Sequence, residues 1–78
     1  MALVTSFREE PHAAGTWRTE TACGWRITTH AGRAILHLET YGSGTREIPG
    51  KVSQSLQLDE AAARELRSLI DRAFPRPG

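Results

Sequence analysis

Three histidines and one cysteine are the side chains of this 78-residue chain best suited to metal ligation or nucleophilic chemistry. His30 and His37 fall on the two strands of a predicted hairpin, in which His37 pairs with Arg26, four positions along the strand from His30. At about 3.3 Å per residue, roughly 13 Å separates the two histidines, too far to share one zinc ion. Cys23 alternates with apolar residues and is expected to be a buried, unreactive thiol. The spacing predicts no metal site and no cofactor.

Carboxylates and glycines also lack the patterns that are typical of catalytic sites. Glu39 is expected to form an ordinary cross-strand ion pair with Arg26. The run Gly42-Ser43-Gly44 lacks the lysine and the following helix of a phosphate-binding loop. We therefore predict that the protein is not an enzyme and has no catalytic residues.

Surface recognition is the chemistry that the remaining polar residues suit. Ten Lys and Arg against nine Asp and Glu give a net charge of +1, well short of the basic excess of a dedicated nucleic-acid domain. Arginine nevertheless binds phosphate, and aromatic rings stack on bases. The pattern predicts weak binding of single-stranded DNA or RNA, or else an ordinary solvated sheet face. The candidate contacts are Arg26, His30, Arg33, Tyr41 and Lys51, which Arg18 joins if a strand precedes the hairpin.

A hairpin is the element that would position these residues. Residues 24–30 and 33–41 alternate in polarity, and Ala31-Gly32 between them suits a two-residue turn. Pairing His30 with Arg33 separates a mostly polar face from an apolar one, and a slip of one residue would mix them. The predicted apolar face carries Cys23, Trp25, Ile27, Leu36 and Leu38. Residues 16–21 are a candidate preceding strand. Residues 51–58 are a following one, and its inward side chains are expected to be Val52, Leu56 and Leu58.

A C-terminal helix completes the predicted fold. Asp59 suits the N-cap, Glu60 and Arg64 form an i,i+4 pair, and Pro75 ends the helix. The predicted class is α+β: an antiparallel β-meander of three to four strands followed by one C-terminal helix packed on one sheet face. We expect an N-terminal arm over 1–15, flexible or an edge strand, one domain over 16–74, and a proline-rich tail over 75–78. The predicted helix stripe is Ala62, Leu66, Leu69, Ile70, Ala73 and Phe74.

The length of the chain bears on its partners and its location. A chain of this size buries only about 60% of its unfolded surface, so its core is thin and a homodimer is expected. The sequence has no run long enough to span a membrane, and residues 1–10 lack the pattern of a secretory signal. We therefore expect a cytoplasmic protein with no membrane partner.

One segment resembles a known family. Residues 32–41, from Gly32-Arg33 through an apolar run to Tyr41, resemble the strand of the transcriptional coactivator family called positive cofactor four. The likeness continues at Pro49-Gly50-Lys51 and at residues 57–60, and covers about 24–74. The resemblance implies a curved four-stranded antiparallel sheet, a C-terminal helix that dimerises, single-stranded DNA binding and a role in transcription regulation.

The departures from the family lie among its DNA-contacting residues. His30-Ala31 stands where the family has an aromatic residue and a lysine, and Gly42 stands where it has a tryptophan. The family's DNA-contacting residues have counterparts here in Arg33, in Lys51 and in His30 or Tyr41 as a stacking residue. The alternative is a small protein-binding adaptor or inhibitor that uses a sheet edge near 48–50 or the N-terminal arm. Under the nucleic-acid hypothesis Trp17 and Tyr41 lie on the arginine face.

Overall fold

The computed structural model describes residues 1–11, 15, 18–41 and 52–77. Strands β1 (Ala2–Val4), β2 (Cys23–His30), β3 (Arg33–Tyr41) and β4 (Val52–Leu58) precede the helix α1 (Glu60–Ala73). The strands form one sheet in the order β1-β4-β3-β2. The helix packs on β3 and β4. This arrangement confirms the predicted α+β class with one C-terminal helix on the sheet.

The hairpin of β2 and β3 has the predicted pairing. His30 lies opposite Arg33, and the ladder continues without interruption to Cys23 opposite Thr40. Both turn residues have positive φ, 51° at Ala31 and 76° at Gly32. This is the type I′ geometry whose twist matches that of the flanking strands. The turn therefore fixes which side chains share each face of the sheet.

The fourth strand comes from the N-terminal arm. Residues 18–21 of the candidate preceding strand are not in a strand, whereas β1 pairs in parallel with β4, from Ala2 opposite Leu56 to Val4 opposite Leu58. The sheet is therefore mixed rather than purely antiparallel. The physical reason is burial: residues 18–21 carry only polar side chains, whereas β1 brings Val4 against Leu58.

The buried core of the described residues is smaller than predicted. Leu58 and Ala62 are the buried apolar residues there, at 1% and 0% exposure. Ala62 is held where the Asp59 carboxylate caps the helix, accepting a hydrogen bond from the Ala62 amide at 2.8 Å. The N-cap prediction and the Glu60–Arg64 pair, at 2.7 Å, are confirmed.

Several residues predicted to pack under the helix are instead exposed. Trp25 is 69% and Ile27 64% exposed, because α1 packs on β3 and β4 rather than on β2. Cys23, on the same strand, is also exposed, so the expectation of a buried thiol is wrong. Val52 is exposed because the pairing shifts by one residue between Thr40 and Tyr41. Val52 therefore lies opposite Tyr41 and does not share the face of Leu58.

Candidate nucleic-acid interface

The sheet has one face that the helix does not cover, here called the polar face. Pairing partners on neighbouring strands share a face, so one row across the sheet joins Arg26, His37 and Gln57. The adjacent rows add Thr28 with Ile35 and His30 with Arg33. The polar face therefore includes Arg26, Thr28, His30, Arg33, Ile35, His37, Glu39, Tyr41 and Gln57.

An ion pair lies at the middle of the polar face. Arg26 Nη1 donates to Glu39 Oε1 at 2.6 Å, which confirms the predicted cross-strand pair. The Arg26 side chain is 54% exposed, whereas that of Glu39 is 16% exposed. The guanidinium thus keeps donors open to solvent, while the carboxylate lowers the positive charge of the face. A phosphate bound here would share Arg26 with Glu39.

His37 belongs to a hydrogen-bonded row that links three strands. Its Nε2 lies 2.7 Å from Thr28 Oγ1 on β2, and its Nδ1 lies 3.5 Å from the Gln57 amide nitrogen on β4. Because an amide nitrogen only donates, Nδ1 accepts in this arrangement, which leaves Nε2 to donate to the Thr28 hydroxyl oxygen. Both ring nitrogens are thus occupied within the sheet, and His37 supports the face rather than offering free contacts.

His30 and Arg33 form the turn end of the polar face. They lie directly opposite each other, and both are exposed. His37 pairs with Arg26, so the predicted separation of the two histidines along the sheet is confirmed. In the described part of the chain, no three His, Cys, Asp or Glu side chains are grouped as metal ligands.

Acidic groups also approach the turn end. A cleft of about 690 Å³ runs from the turn to the start of α1 and includes His30, Arg33, Asp59 and Glu60. Asp59 caps the helix, and Glu60 is paired with Arg64. Both carboxylates therefore already have partners on α1.

Tyr41 supplies the aromatic surface at the other end of the polar face. Its hydroxyl reaches across to β2, where a Cβ on Gly24 would lie only 2.8 Å from it. Gly24 therefore makes room for the phenol ring. Tyr41 also borders a cleft of about 420 Å³ together with Arg18, Thr19, Thr21, Thr40, Ser53 and Gln54.

The structure brings together most of the predicted contacts. Arg26, His30, Arg33 and Tyr41 lie on the polar face, and Arg18, which is outside the strands, borders a cleft beside Tyr41. Lys51 and Trp17 lie outside the described residues. The role of Gly24 was not predicted, although its alternation with Arg26 places it on this face and could have indicated it.

Comparisons with family models, with curated proteins and with solved structures gave no match for this chain. The resemblance to the positive cofactor four family therefore stays a prediction. Across the described ranges, no helix is long and apolar enough to cross a membrane.

Proposed function

We propose that the protein is a small cytoplasmic single-stranded nucleic-acid-binding protein, without enzymatic activity, that takes part in transcription regulation. The observation that carries the proposal is the placement of Arg26, His30, Arg33 and Tyr41 on one sheet face that the helix leaves open. The nucleic acid lies along β3, and contacts are made from the turn end to the Tyr41 end.

The proposed contacts divide the work by chemistry. Arg33 and Arg26 bind phosphates, and Tyr41 and His30 stack on bases. Lys51, which lies outside the described residues, stays a predicted contact. From Arg33 to Tyr41 the face extends about 26 Å, at about 3.3 Å per residue, which gives room for several nucleotides. Arg18 contributes a further phosphate contact beside Tyr41.

The charge of the face indicates weak binding that depends little on sequence. Glu39 offsets part of the charge of Arg26, and the chain as a whole carries only +1. With two or three phosphate contacts, the logarithm of the binding constant should fall with the logarithm of salt concentration with a slope of about −1.4 to −2.1. Stacking contributes about 1–3 kcal/mol for each base and is tolerant of sequence.

Self-association is part of the proposal. The described residues include only two buried apolar side chains, Leu58 and Ala62, which is a small core for an independent domain. A homodimer would supply the missing burial and would present two polar faces to one nucleic-acid strand.

A protein partner is the second candidate function, and the exposed Trp25 and Ile27 on the edge strand β2 favour it. An adaptor or inhibitor would add a strand of its target to this edge. The edge near 48–50 lies outside the described residues, and Ala2–Val4 of the N-terminal arm is engaged by β4. Neither site predicted for this function is therefore favoured by an observation. The site that the structure favours is the edge strand β2.

Fluorescence anisotropy with labelled oligonucleotides tests the proposed function. The wild-type protein is titrated into a single strand and into a duplex of the same sequence, each at low and at moderate salt. We expect tighter binding to the single strand and a shallow salt slope. Equal affinity for the duplex, or no binding to the single strand at low salt, would contradict the proposal and would leave the protein partner as the better candidate.

A further inference from the structure

Nine large apolar side chains of the described residues are exposed, and Trp25, Ile27, Ile70 and Phe74 are among them. A standard interface buries roughly 800 Å² of each partner.

Much of the exposed apolar surface lies on one side of the helix. Ile27 of β2 lines a cleft of about 350 Å³ with Ala63 and Arg67 of α1. Ile70 and Phe74 follow Arg67 at spacings of three and four, which keeps them on the helix flank that faces β2. Trp25, Ile27, Ile70 and Phe74 are all exposed. These four side chains are here called the open apolar patch.

Among the described residues, no strand pairs with the outer edge of the strand beneath this patch. β2 is the last strand in the sheet order and has eight residues, without a proline. The turn bond between His30 and Arg33 directs the backbone groups of His30 towards β3, so by alternation those of Thr29, Ile27, Trp25 and Cys23 point outward. Natural sheets usually shorten, charge or cover such an edge.

We propose that a second copy of this chain pairs with β2 in antiparallel fashion about a two-fold axis perpendicular to the sheet, with Trp25 opposite the partner's Ile27. The inference deepens the homodimer of the proposed function and rests on it. The axis keeps both helices on the same side, so the two open apolar patches meet between them. The two polar faces then form one continuous surface on the opposite side.

Self-complementarity is the reason to choose a second copy as the occupant. The odd-numbered residues of β2 carry both the outward backbone groups and the apolar side chains. Two copies can therefore satisfy hydrogen bonding and burial in the same pairing. Two residues that face each other across the β2–β2 pairing must both have odd numbers. Any other alignment would turn an apolar side chain towards the polar face.

Among the allowed alignments, the one with Trp25 opposite the partner's Ile27 pairs every outward-facing residue of β2. An alignment centred on Ile27 would leave Cys23 opposite the turn and would place Trp25 against a threonine. The chosen alignment puts Arg26 opposite the partner's Arg26 at the axis. Each arginine is compensated by its own Glu39 at 2.6 Å, which limits the repulsion.

Sedimentation equilibrium with matched variants tests the interface. The wild type should have twice the 8.6 kDa mass of the chain, about 17 kDa, at micromolar concentration. Ile27→Lys, which places a charge inside the interface, should dissociate at least tenfold more readily. The control Leu3→Lys changes a similarly exposed residue on β1, at the opposite edge, and should remain dimeric. Far-UV circular dichroism checks that both variants are folded.

Disulfide trapping tests the alignment without weakening the interface. In the proposed pairing Cys23 lies opposite the partner's Thr29, with Cα atoms about 5.5 Å apart, so Thr29→Cys should yield an oxidised dimer. The wild type should not, because six residues separate its two Cys23 positions along the pairing, about 20 Å. Adding Cys23→Ser to Thr29→Cys should abolish the cross-link.

Each outcome bears on a distinct claim. A wild-type mass of 8.6 kDa would overturn the homodimer and the interface, although oligonucleotide binding could still hold. A dimer that persists in Ile27→Lys, or a cross-link in the wild type, would overturn the β2 interface alone.

Discussion

Arg26 Nη1 and Glu39 Oε1 lie 2.6 Å apart on the polar face, so one of the arginines proposed to bind phosphate is already paired with a carboxylate. The pair holds the guanidinium in place across β2 and β3. It also sets a limit on affinity, since an anion that approaches Arg26 meets the charge of Glu39.

Glu39→Gln should strengthen the binding of single-stranded DNA. Removing the carboxylate frees Arg26, and an exposed ion pair is worth about 0.5–1 kcal/mol, so the affinity should rise about two- to fivefold. The salt slope should steepen by about 0.7. Fluorescence anisotropy at several salt concentrations measures both.

The helix offers a matched control for this change. Glu60→Gln frees Arg64 from a pair of similar length, 2.7 Å, and changes the net charge by the same amount. Because Arg64 lies on the helix rather than on the polar face, its release should alter the affinity much less. An equal gain in both variants would show that net charge, not the polar face, controls binding.

Tyr41→Leu should weaken binding by removing one stacking surface. A stacked base contributes about 1–3 kcal/mol, so the dissociation constant should rise about five- to 150-fold. Tyr41→Phe keeps the ring and should bind nearly as well as the wild type. If the phenylalanine variant lost as much affinity as the leucine variant, the hydroxyl rather than the ring face would be the contact.

Gly24→Ala, on β2, should displace the same Tyr41 ring. The added Cβ would lie 2.8 Å from the Tyr41 hydroxyl, so the ring must move. Because the contact is with the far end of a side chain, the fold should survive while stacking weakens. Unchanged affinity together with an unchanged Tyr41 environment, observed by NMR, would contradict the described packing.

Leu58→Ala should destabilise the fold strongly. Leu58 is 1% exposed, so the truncation leaves a cavity that costs about 2–5 kcal/mol. For a domain of this size each kcal/mol lowers the melting temperature by about 4–8 °C. Leu56→Ala, two residues earlier and more exposed, should cost less. Thermal denaturation followed by circular dichroism compares them, and equal melting temperatures would place the core elsewhere.

Local patterns predicted the parts of the fold that depend on neighbours in sequence. The pairing of His30 with Arg33 follows from a two-residue turn and strict alternation. The cap at Asp59 follows from its side chain and its position before an alanine-rich segment. Arg26, His30, Arg33 and Tyr41 could therefore be assigned to one face from the sequence.

The features that sequence reasoning missed depend on how distant elements meet. Nothing in Ala2–Val4 specifies a parallel partner, and the pairing with β4 becomes apparent only when Val4 is seen beside Leu58. The apolar character of Trp25 and Ile27 indicated a core position, but alternation cannot tell burial within one chain from a surface open to a partner.

The most direct test of nucleic-acid binding on the polar face compares two double variants that lose the same charge. Arg26→Ala with Arg33→Ala removes both phosphate contacts of the polar face, whereas Arg64→Ala with Arg72→Ala removes two helix arginines. Anisotropy with a labelled single strand at low salt should show about tenfold weaker binding for the first, since two contacts at about 0.5–1 kcal/mol each are lost, and nearly unchanged binding for the second. Equal affinity for the two double variants would contradict binding on the polar face.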